Sequence, residues 1–330
     1  MPDVFAVYRS LEQVPAGFGP AALTVGNFDG VHQGHARILR EVGALARERG
    51  WRAVALTFDP HPTRIVAPDR APRLLTTLDL RLALLEQAGL DAVVVLPFTA
   101  EVARLEPAAF VRDILAGKLG ARAVVVGGNF RFGRRHAGDV KMLQALGGEC
   151  GFEVRVAEPV LCRGEVVSSS RIRGLIGEGA VSRVVRMLGR PFSLDGSVVR
   201  GHGVGARQAV PTLNLAPNTE VLPARGVYVT CTRDADTARR WPSVTNIGYR
   251  PTFGGTELSI ETFLLRPLEG PAPQRLSVAF WHRLRDEKKF PAPEDLRRQI
   301  LGDVATAEKF LRRLQASARA SAIPAPGVTT

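Results

Sequence analysis

Cysteine is scarce in this sequence: three in 330 residues, Cys150, Cys162 and Cys231, lie far apart without the spacing of a metal site. That argues against a disulfide-stapled scaffold and suits a reducing cytosol, so a cytoplasmic location is expected. Long apolar runs are missing as well. Stretches such as Ala92–Phe98 are of strand length, far short of the roughly 20 residues a bilayer-spanning helix needs, and no membrane partner is expected. The first residues, Met1–Ser10, carry Asp3 and no apolar core, so they do not read as a signal peptide. There is no GxxxxGK[ST] string, which argues against a P-loop kinase. No block of like charges and no basic arm with interleaved aromatics occurs, so nucleic acid is not the expected partner. The formal net charge of +12 leaves two readings open: affinity for polyphosphate substrates, or an arginine bias spread over solvated faces.

What is present is an apolar fraction of 45% and a charged fraction of 23%, as in soluble globular proteins. The length exceeds that at which a single core usually stops growing, so two domains are expected. The first half alternates β-branched runs with amphipathic segments. Strands are expected at Ala22–Phe28, Arg52–Phe58, Ala92–Pro97, Ala121–Gly127 and Glu153–Glu158, and helices at Gly34–Arg49, Leu78–Ala88, Pro107–Leu119 and Lys141–Leu146. This βαβα order predicts a parallel sheet covered on both faces, with ligands beyond the carboxyl ends of its strands.

Past residue 188 the texture changes. Leu194–Arg200, Val227–Thr232, Ser243–Ile247, Leu258–Leu264 and Leu276–Trp281 read as strands between Gly/Pro-rich turns, and helical periodicity returns at Pro293–Ser317. A small antiparallel barrel with one terminal helix is expected. The boundary is drawn at Gly189-Arg190-Pro191, giving domains 1–188 and 189–317, with residues 318–330 read as a disordered tail. The chain shows no internal repeat.

Two stretches carry chemistry. The first, Gly26-Asn27-Phe28-Asp29-Gly30-Val31-His32-Gln33-Gly34-His35, falls where the first strand ends. Its glycines allow tight turns and close approach of backbone to ligand. It then opens a helix, whose free N–H groups favour a phosphate. His32 and His35 are three apart and share a face of the first turn, where two imidazoles can donate to phosphate oxygens as charge builds up. The alternatives are a surface pair or part of a metal site, and the latter lacks a third ligand of suitable spacing. The second stretch surrounds Glu261, a carboxylate in mid-strand that is either functional or outward-facing. Gly201–Ala206 has a dinucleotide-fingerprint look, but Pro211 follows and no helix does, so a Rossmann reading of this part is rejected. Such a Gly-rich loop can still wrap a polyphosphate.

The HxGH signature resembles that of the nucleotidylyltransferase superfamily, and GNFDGVHQGH is similar to the bacterial bifunctional riboflavin kinase/FAD synthetase family. Three further stretches share that resemblance: Thr57-Phe58-Asp59-Pro60-His61-Pro62, Gly128–Gly133 with Gly138-Asp139, and Ser168-Ser169-Ser170-Arg171-Ile172-Arg173. So do Pro211-Thr212-Leu213-Asn214, the PTxN motif of riboflavin kinases, and the segments Arg250–Gly255 and Arg285–Phe290. The resemblance implies an α/β nucleotidylyltransferase domain with a Rossmann-like parallel sheet, followed by a kinase barrel. It implies riboflavin, FMN, FAD and ATP as partners, with ATP as co-substrate and Mg²⁺ as cofactor.

It also implies roles. His32, His35 and Arg171 would serve adenylyl transfer, and Gly26, Phe28, Asp29, Gly30, Ser169 and Ser170 would contact ATP. The serines can equally cap a helix. Asn129, Phe130, Asp139 and Arg285 would contact flavin. Gly203, Thr212 and Asn214 would contact ATP in the second domain, and the Thr hydroxyl and Asn carbonyl are hard oxygen ligands suited to Mg²⁺. Glu261 would accept the proton of the riboflavin 5′-hydroxyl. The sequence departs from the family pattern at Gln208-Ala209, where a Leu-Gly pair is usual, and at Phe263, where His is common. Two other classes are weighed: an adenylyltransferase for a pantetheine or nicotinamide phosphate, and a flavin- or RNA-binding protein with decayed catalytic sites. The barrel motifs argue against the first, and the retained His32, His35, Thr212, Asn214 and Glu261 against the second. Oligomeric state is not encoded in any recognisable pattern.

Overall fold

A computed structural model describes residues 5–199, 212–252, 255–288 and 290–321. The chain divides into two compact units, residues 1–169 and 170–330.

In the first unit, strands β1 (Ala6–Tyr8), β2 (Ala21–Val25), β3 (Arg52–Asp59), β4 (Ala92–Pro97), β5 (Ala121–Gly127) and β6 (Glu153–Ala157) form one sheet in the order β1-β4-β3-β2-β5-β6. Every pairing is parallel, as the unbroken apolar runs of its central strands predict. Alternate residues serve the two faces. Ala22, Ala53, Ala55 and Ala123 meet Leu39, Val42 and Leu45 of helix α1 (Gln33–Arg49), while Leu23, Val54, Leu56 and Val124 meet Phe110, Val111 and Leu115. Helix α1 stops at Gly50, a left-handed residue at φ 66°, with Arg47 and Arg49 in its last turn complementing the dipole. Short helices α2 (Pro62–Val66), α3 (Leu78–Gln87), α4 (Ala100–Arg104) and α5 (Pro107–Ala109), the π-helical stretch Phe110–Lys118, and α6 (Val140–Cys150) complete the connections. The expected strands and long helices are found, with ends shifted by a few residues. Strand β1, the small helices and a two-residue hairpin, β7 (Leu161–Cys162) with β8 (Glu165–Val166), are too short to show periodicity in sequence.

The second unit starts with helices α7 (Ser169–Gly177, all but its first residue) and α8 (Val181–Leu188). Helix α8 is tied to the barrel where Ser182 Oγ donates to the Trp281 carbonyl at 3.0 Å. Strands β9 (Phe192–Val199), β10 (Thr212–Pro217), β11 (Gly226–Asp234), β12 (Arg240–Thr252), β13 (Gly255–Leu264) and β14 (Arg275–Arg285) close a barrel in the order β10-β13-β12-β11-β14-β9. Five of these were expected, and β10 is the addition. Inside, Thr230, Thr232, Ser243, Thr245 and Thr262 are fully buried and bond one another at 2.8–3.0 Å. Outside, Val227, Val229 and Val244 are covered by Ala307 and Leu311 of helix α9 (Pro293–Ser321). This helix continues past the expected end at Ser317, and the rest of the expected tail, residues 322–330, lies outside the described residues, as do Gly201–Ala206, Gln208-Ala209 and Pro211.

Candidate active sites

The first site is built where β2 ends. Strands β3 and β4 lie to one side of β2 and β5 to the other, so the chain reverses its direction of winding between β2 and β5. Such a switch point leaves a crevice at the carboxyl ends of the strands. Both loops that leave there are ones the sequence singled out: Gly26–His32 after β2, and the Gly128–Gly133 turn after β5.

The Gly26–His32 loop is strained and heavily held. Phe28 and Val31 sit at φ 48° and 37°, a region costing a β-branched residue about 1–3 kcal/mol. The bonds that impose it are many. The buried Asp29 carboxylate accepts from Leu75 N at 2.9 Å and from Thr76 N at 3.2 Å, and Thr76 Oγ1 accepts from Gly30 N at 3.2 Å. Ser169 Oγ donates to the Asp29 carbonyl at 2.9 Å, and Thr57 Oγ1 donates to the Asn27 carbonyl at 3.3 Å. Asp29 and Ser169 thus act on the loop itself, and the ring of Phe28 packs edge-on against His35.

His32 is the N-cap of α1: its Nδ1 accepts from His35 N at 3.3 Å. In the neutral ring this places the proton on Nε2, leaving that nitrogen the donor. The rings of His32 and His35 stack at 3.7 Å with 13° between their planes. Gly34 suits this arrangement, because a Cβ there would stand 3.1 Å from the His32 ring and 3.4 Å from the Val167 carbonyl and would press on the ring. His61 caps α2 through Thr63 N and meets the Asn27 amide at 3.1 Å.

The other expected residues of this unit lie on the neighbouring loop. Asn129 is exposed, Phe130 stacks on Phe132 at 5.5 Å, and Asp139 caps α6 through Met142 N while lying 3.5 Å from Arg131. Ser170 is exposed on the first turn of α7, and Arg171, in the second unit, lies 3.4 Å from Glu178.

The second site lies on the outer face of the barrel, beneath α9. Strand pairing sets Asn214 opposite Glu261 and Glu261 opposite Asn246, so these side chains share one face, with Thr212 two residues from Asn214 on that same face. A cavity of about 320 Å³ opens there, with Thr212, Asn246 and Glu261 among its polar lining and Val244, Ile300 and Phe290 among its apolar lining. Ser259 Oγ donates to Glu261 Oε1 at 2.8 Å, which fixes one carboxylate oxygen.

Arg285 also lines this cavity, but its guanidinium is taken up by the protein. Nε and Nη2 donate to the buried Asp303 at 2.8–3.1 Å, Nη1 donates to the Asp286 carbonyl, and Gln299 adds a bond to Asp303 at 2.9 Å. Gly203 lies outside the described residues.

Thr212, Asn214 and Glu261 offer oxygen only, a donor set that fits a hard divalent cation beside a nucleotide. Among the described residues no cluster of three His, Cys, Asp or Glu side chains could hold a metal, and no helix is long and apolar enough to cross a membrane. Sequence reasoning did not single out Asn246, Ser259, Asp303 or Arg81. Of these, Asn246 offered a weak signal, as an amide inside an expected strand.

A parallel sheet with a histidine-capped glycine loop at its switch point, together with a barrel carrying a carboxylate beside hydroxyl and amide oxygens, fits a two-site nucleotide-dependent transferase. Residues 16–171 match the family model described as FAD synthetase, and residues 188–311 the one described as riboflavin kinase. A curated relative from Escherichia coli strain K12, named bifunctional riboflavin kinase/FMN adenylyltransferase, is 33% identical over 87% of this chain and 92% of its own. Its namesake from Pseudomonas fluorescens is 36% identical over 86% of this chain and 91% of its own. The chain belongs to the bifunctional riboflavin kinase/FMN adenylyltransferase family. A Streptococcus pneumoniae crystal structure, described as a macrolide-efflux protein, superposes with a TM-score of 0.81 at 24% identity, covering 92% of this chain and 99% of that one, and shows the fold alone.

Proposed function

We propose that the barrel unit phosphorylates riboflavin with ATP to give FMN, and that the parallel-sheet unit adenylylates FMN with a second ATP to give FAD and pyrophosphate. The observation that carries the adenylyl-transfer half is the pair of loops flanking the β2/β5 switch point, one of them capped by His32.

In adenylyl transfer the FMN phosphate attacks the α-phosphorus of ATP and pyrophosphate leaves, so no nucleophilic side chain is required. Catalysis is alignment and charge stabilisation. His32, through Nε2–H, and His35 donate to phosphate oxygens as negative charge develops. Arg171 neutralises the leaving group, and Gly26, Phe28, Asp29, Gly30, Ser169 and Ser170 shape the ATP site. Asn129, Phe130 and Asp139 receive the flavin.

In the kinase, Glu261 takes the proton of the riboflavin 5′-hydroxyl as its oxygen attacks the γ-phosphorus. Thr212 and Asn214 hold Mg²⁺, which when bound neutralises charge on the nucleotide phosphates. Gly203 belongs to the ATP loop, and the stem of Arg285 flanks the flavin ring. Residues 1–188 make up the adenylyltransferase part and 189–317 the kinase part of an enzyme that works in the cytoplasm.

The test is incubation with riboflavin, ATP and Mg²⁺ and chromatography of the flavins. FMN should appear first and FAD after it. Glu261→Ala should abolish FMN formation yet convert supplied FMN to FAD, and His32→Ala with His35→Ala should accumulate FMN. Loss of both steps in both folded variants would refute the two-site assignment.

A further inference from the structure

Helix α3 sends one charged side chain into the core of the first unit. Arg81 is 1% exposed and the bulkiest of the fully buried side chains. Nη1 donates to the Phe58 carbonyl at 3.1 Å and to Thr57 Oγ1 at 3.4 Å, while Nε is buried without a hydrogen-bond partner. Burial draws its pKa down, and the charges of Asp29 and Asp59 oppose that, so two carboxylates stand near it.

A charge so deeply placed needs a local reason, since an apolar side chain of similar volume usually serves stability as well or better. The partners of Arg81 supply one. Thr57 passes the contact on, accepting from Arg81 and donating to the Asn27 carbonyl in the strained loop. Phe58 immediately precedes Asp59-Pro60-His61, and His61 meets the Asn27 side chain. The buried negative charge of Asp29, which holds Leu75 and Thr76 to the same loop, is offset by the guanidinium. The one cation therefore braces both sides of the loop that ends in His32: through hydrogen bonds on the β3 side, and through charge on the Asp29 side.

We propose that Arg81 is a positioning residue for adenylyl transfer, acting through Thr57, Asn27 and Asp29 to keep the Gly26–Val31 loop in its strained form and the His32–His35 stack at the mouth of α1. This rests on the function proposed above. Arg81 touches no reacting atom, and its effect is on the geometry that the two imidazoles present. Lysine in its place retains a charge to balance Asp29 but lacks the rigid planar guanidinium whose Nη1 donates to both Thr57 Oγ1 and the Phe58 carbonyl.

The experiment uses the full chain with Arg81→Met and Arg81→Lys. For FAD formation from supplied FMN, Arg81→Met should lower kcat by roughly 10- to 100-fold, the scale set by misplacing catalytic groups by about 1 Å. KM for ATP should change by less than about threefold, because positioning errors act on the transition state more than on ground-state binding. Arg81→Lys should recover part of the loss. FMN formation from riboflavin by the same polypeptide should stay at the wild-type rate, and the retained KM for ATP in FAD formation shows that the first unit is still folded. Independently of turnover, the side-chain ¹⁵N signals of His32 should show the Nε2-protonated form in the wild type and an averaged pattern in Arg81→Met. Wild-type kcat in Arg81→Met, an unchanged His32 spectrum, or parallel loss of both activities would each overturn the inference. A wild-type chain that made no FAD would instead defeat the functional reading, while the His32 spectra still decide the role of Arg81.

Discussion

Replacing Asp303 with alanine strips three hydrogen-bonded contacts from Arg285 and leaves that guanidinium, at the barrel cavity, the Asp286 carbonyl and the face of the Phe290 ring. The pair is largely removed from water, with side-chain exposures of 16% for Arg285 and 8% for Asp303, so solvent screens little of the loss. Breaking a buried pair on one side costs about 3–5 kcal/mol, chiefly because the surviving charge stays desolvated. For a unit of this size each kcal/mol lowers the melting temperature by about 2–4 °C, which gives a fall of roughly 6–20 °C. Two of the three tryptophans, Trp241 and Trp281, lie on β12 and β14, so fluorescence-detected melting reports chiefly on the second unit. FMN formation should be lost near the new midpoint while FAD formation from FMN persists. The companion is Arg285→Met with Asp303→Leu, which removes both charges and should return stability to within about 1 kcal/mol of wild type. A loss under about 1 kcal/mol in Asp303→Ala, or a double variant no better than the single, would refute the reasoning.

Ser259→Ala removes the donor that holds Glu261 Oε1. Without it that carboxylate oxygen is held less firmly, so kcat for FMN formation should fall several-fold without a matching change in KM, read from steady-state kinetics. Gly34→Ala places a methyl 3.1 Å from the His32 ring. It should slow FAD formation about tenfold or more while leaving riboflavin phosphorylation intact, measured on the same preparation. Burial pushes the Tyr228 hydroxyl from 10.0 up to about 12. The unfolded chain therefore ionises first on raising pH: this contribution is whole below pH 10 and is lost as pH climbs toward about 12. Alkaline unfolding of the wild type should steepen through that window, and Tyr228→Phe should lack that steepening.

The parallel sheet was legible because strands buried on both faces must be apolar throughout, and the first site because glycines and paired histidines sit at a strand end. Arg81 was not. In Leu-Asp-Leu-Arg-Leu-Ala-Leu-Leu it shares the face of Leu78, Leu82 and Leu85, but leucines on every side of the helix hide that face, and the β3 partners that make its burial favourable are distant in sequence. Asp303 and Gln299 read as surface positions of a charged helix until β14 brings Arg285 beneath them. The barrel strands inverted the usual expectation: Val227 and Val229 face α9 on the outside, while Thr230 and Thr232 face the interior. Strand β10 was hidden because Thr212 and Asn214 drew a motif reading and the residues before them favour turns.

The inward hydroxyls of the barrel form a closed society. Thr230 is shared between Ser243 and Thr245, Ser243 also serves Thr232, and Thr245 also serves Thr262. Each hydroxyl has a single proton to give, so the direction chosen by one constrains its neighbours across β11, β12 and β13. A lone valine at Ser243 or Thr245 takes from Thr232 or Thr262 its one bond within this series. Sequence drift here should therefore proceed in linked steps, with several of these positions changing to apolar residues together or none changing at all.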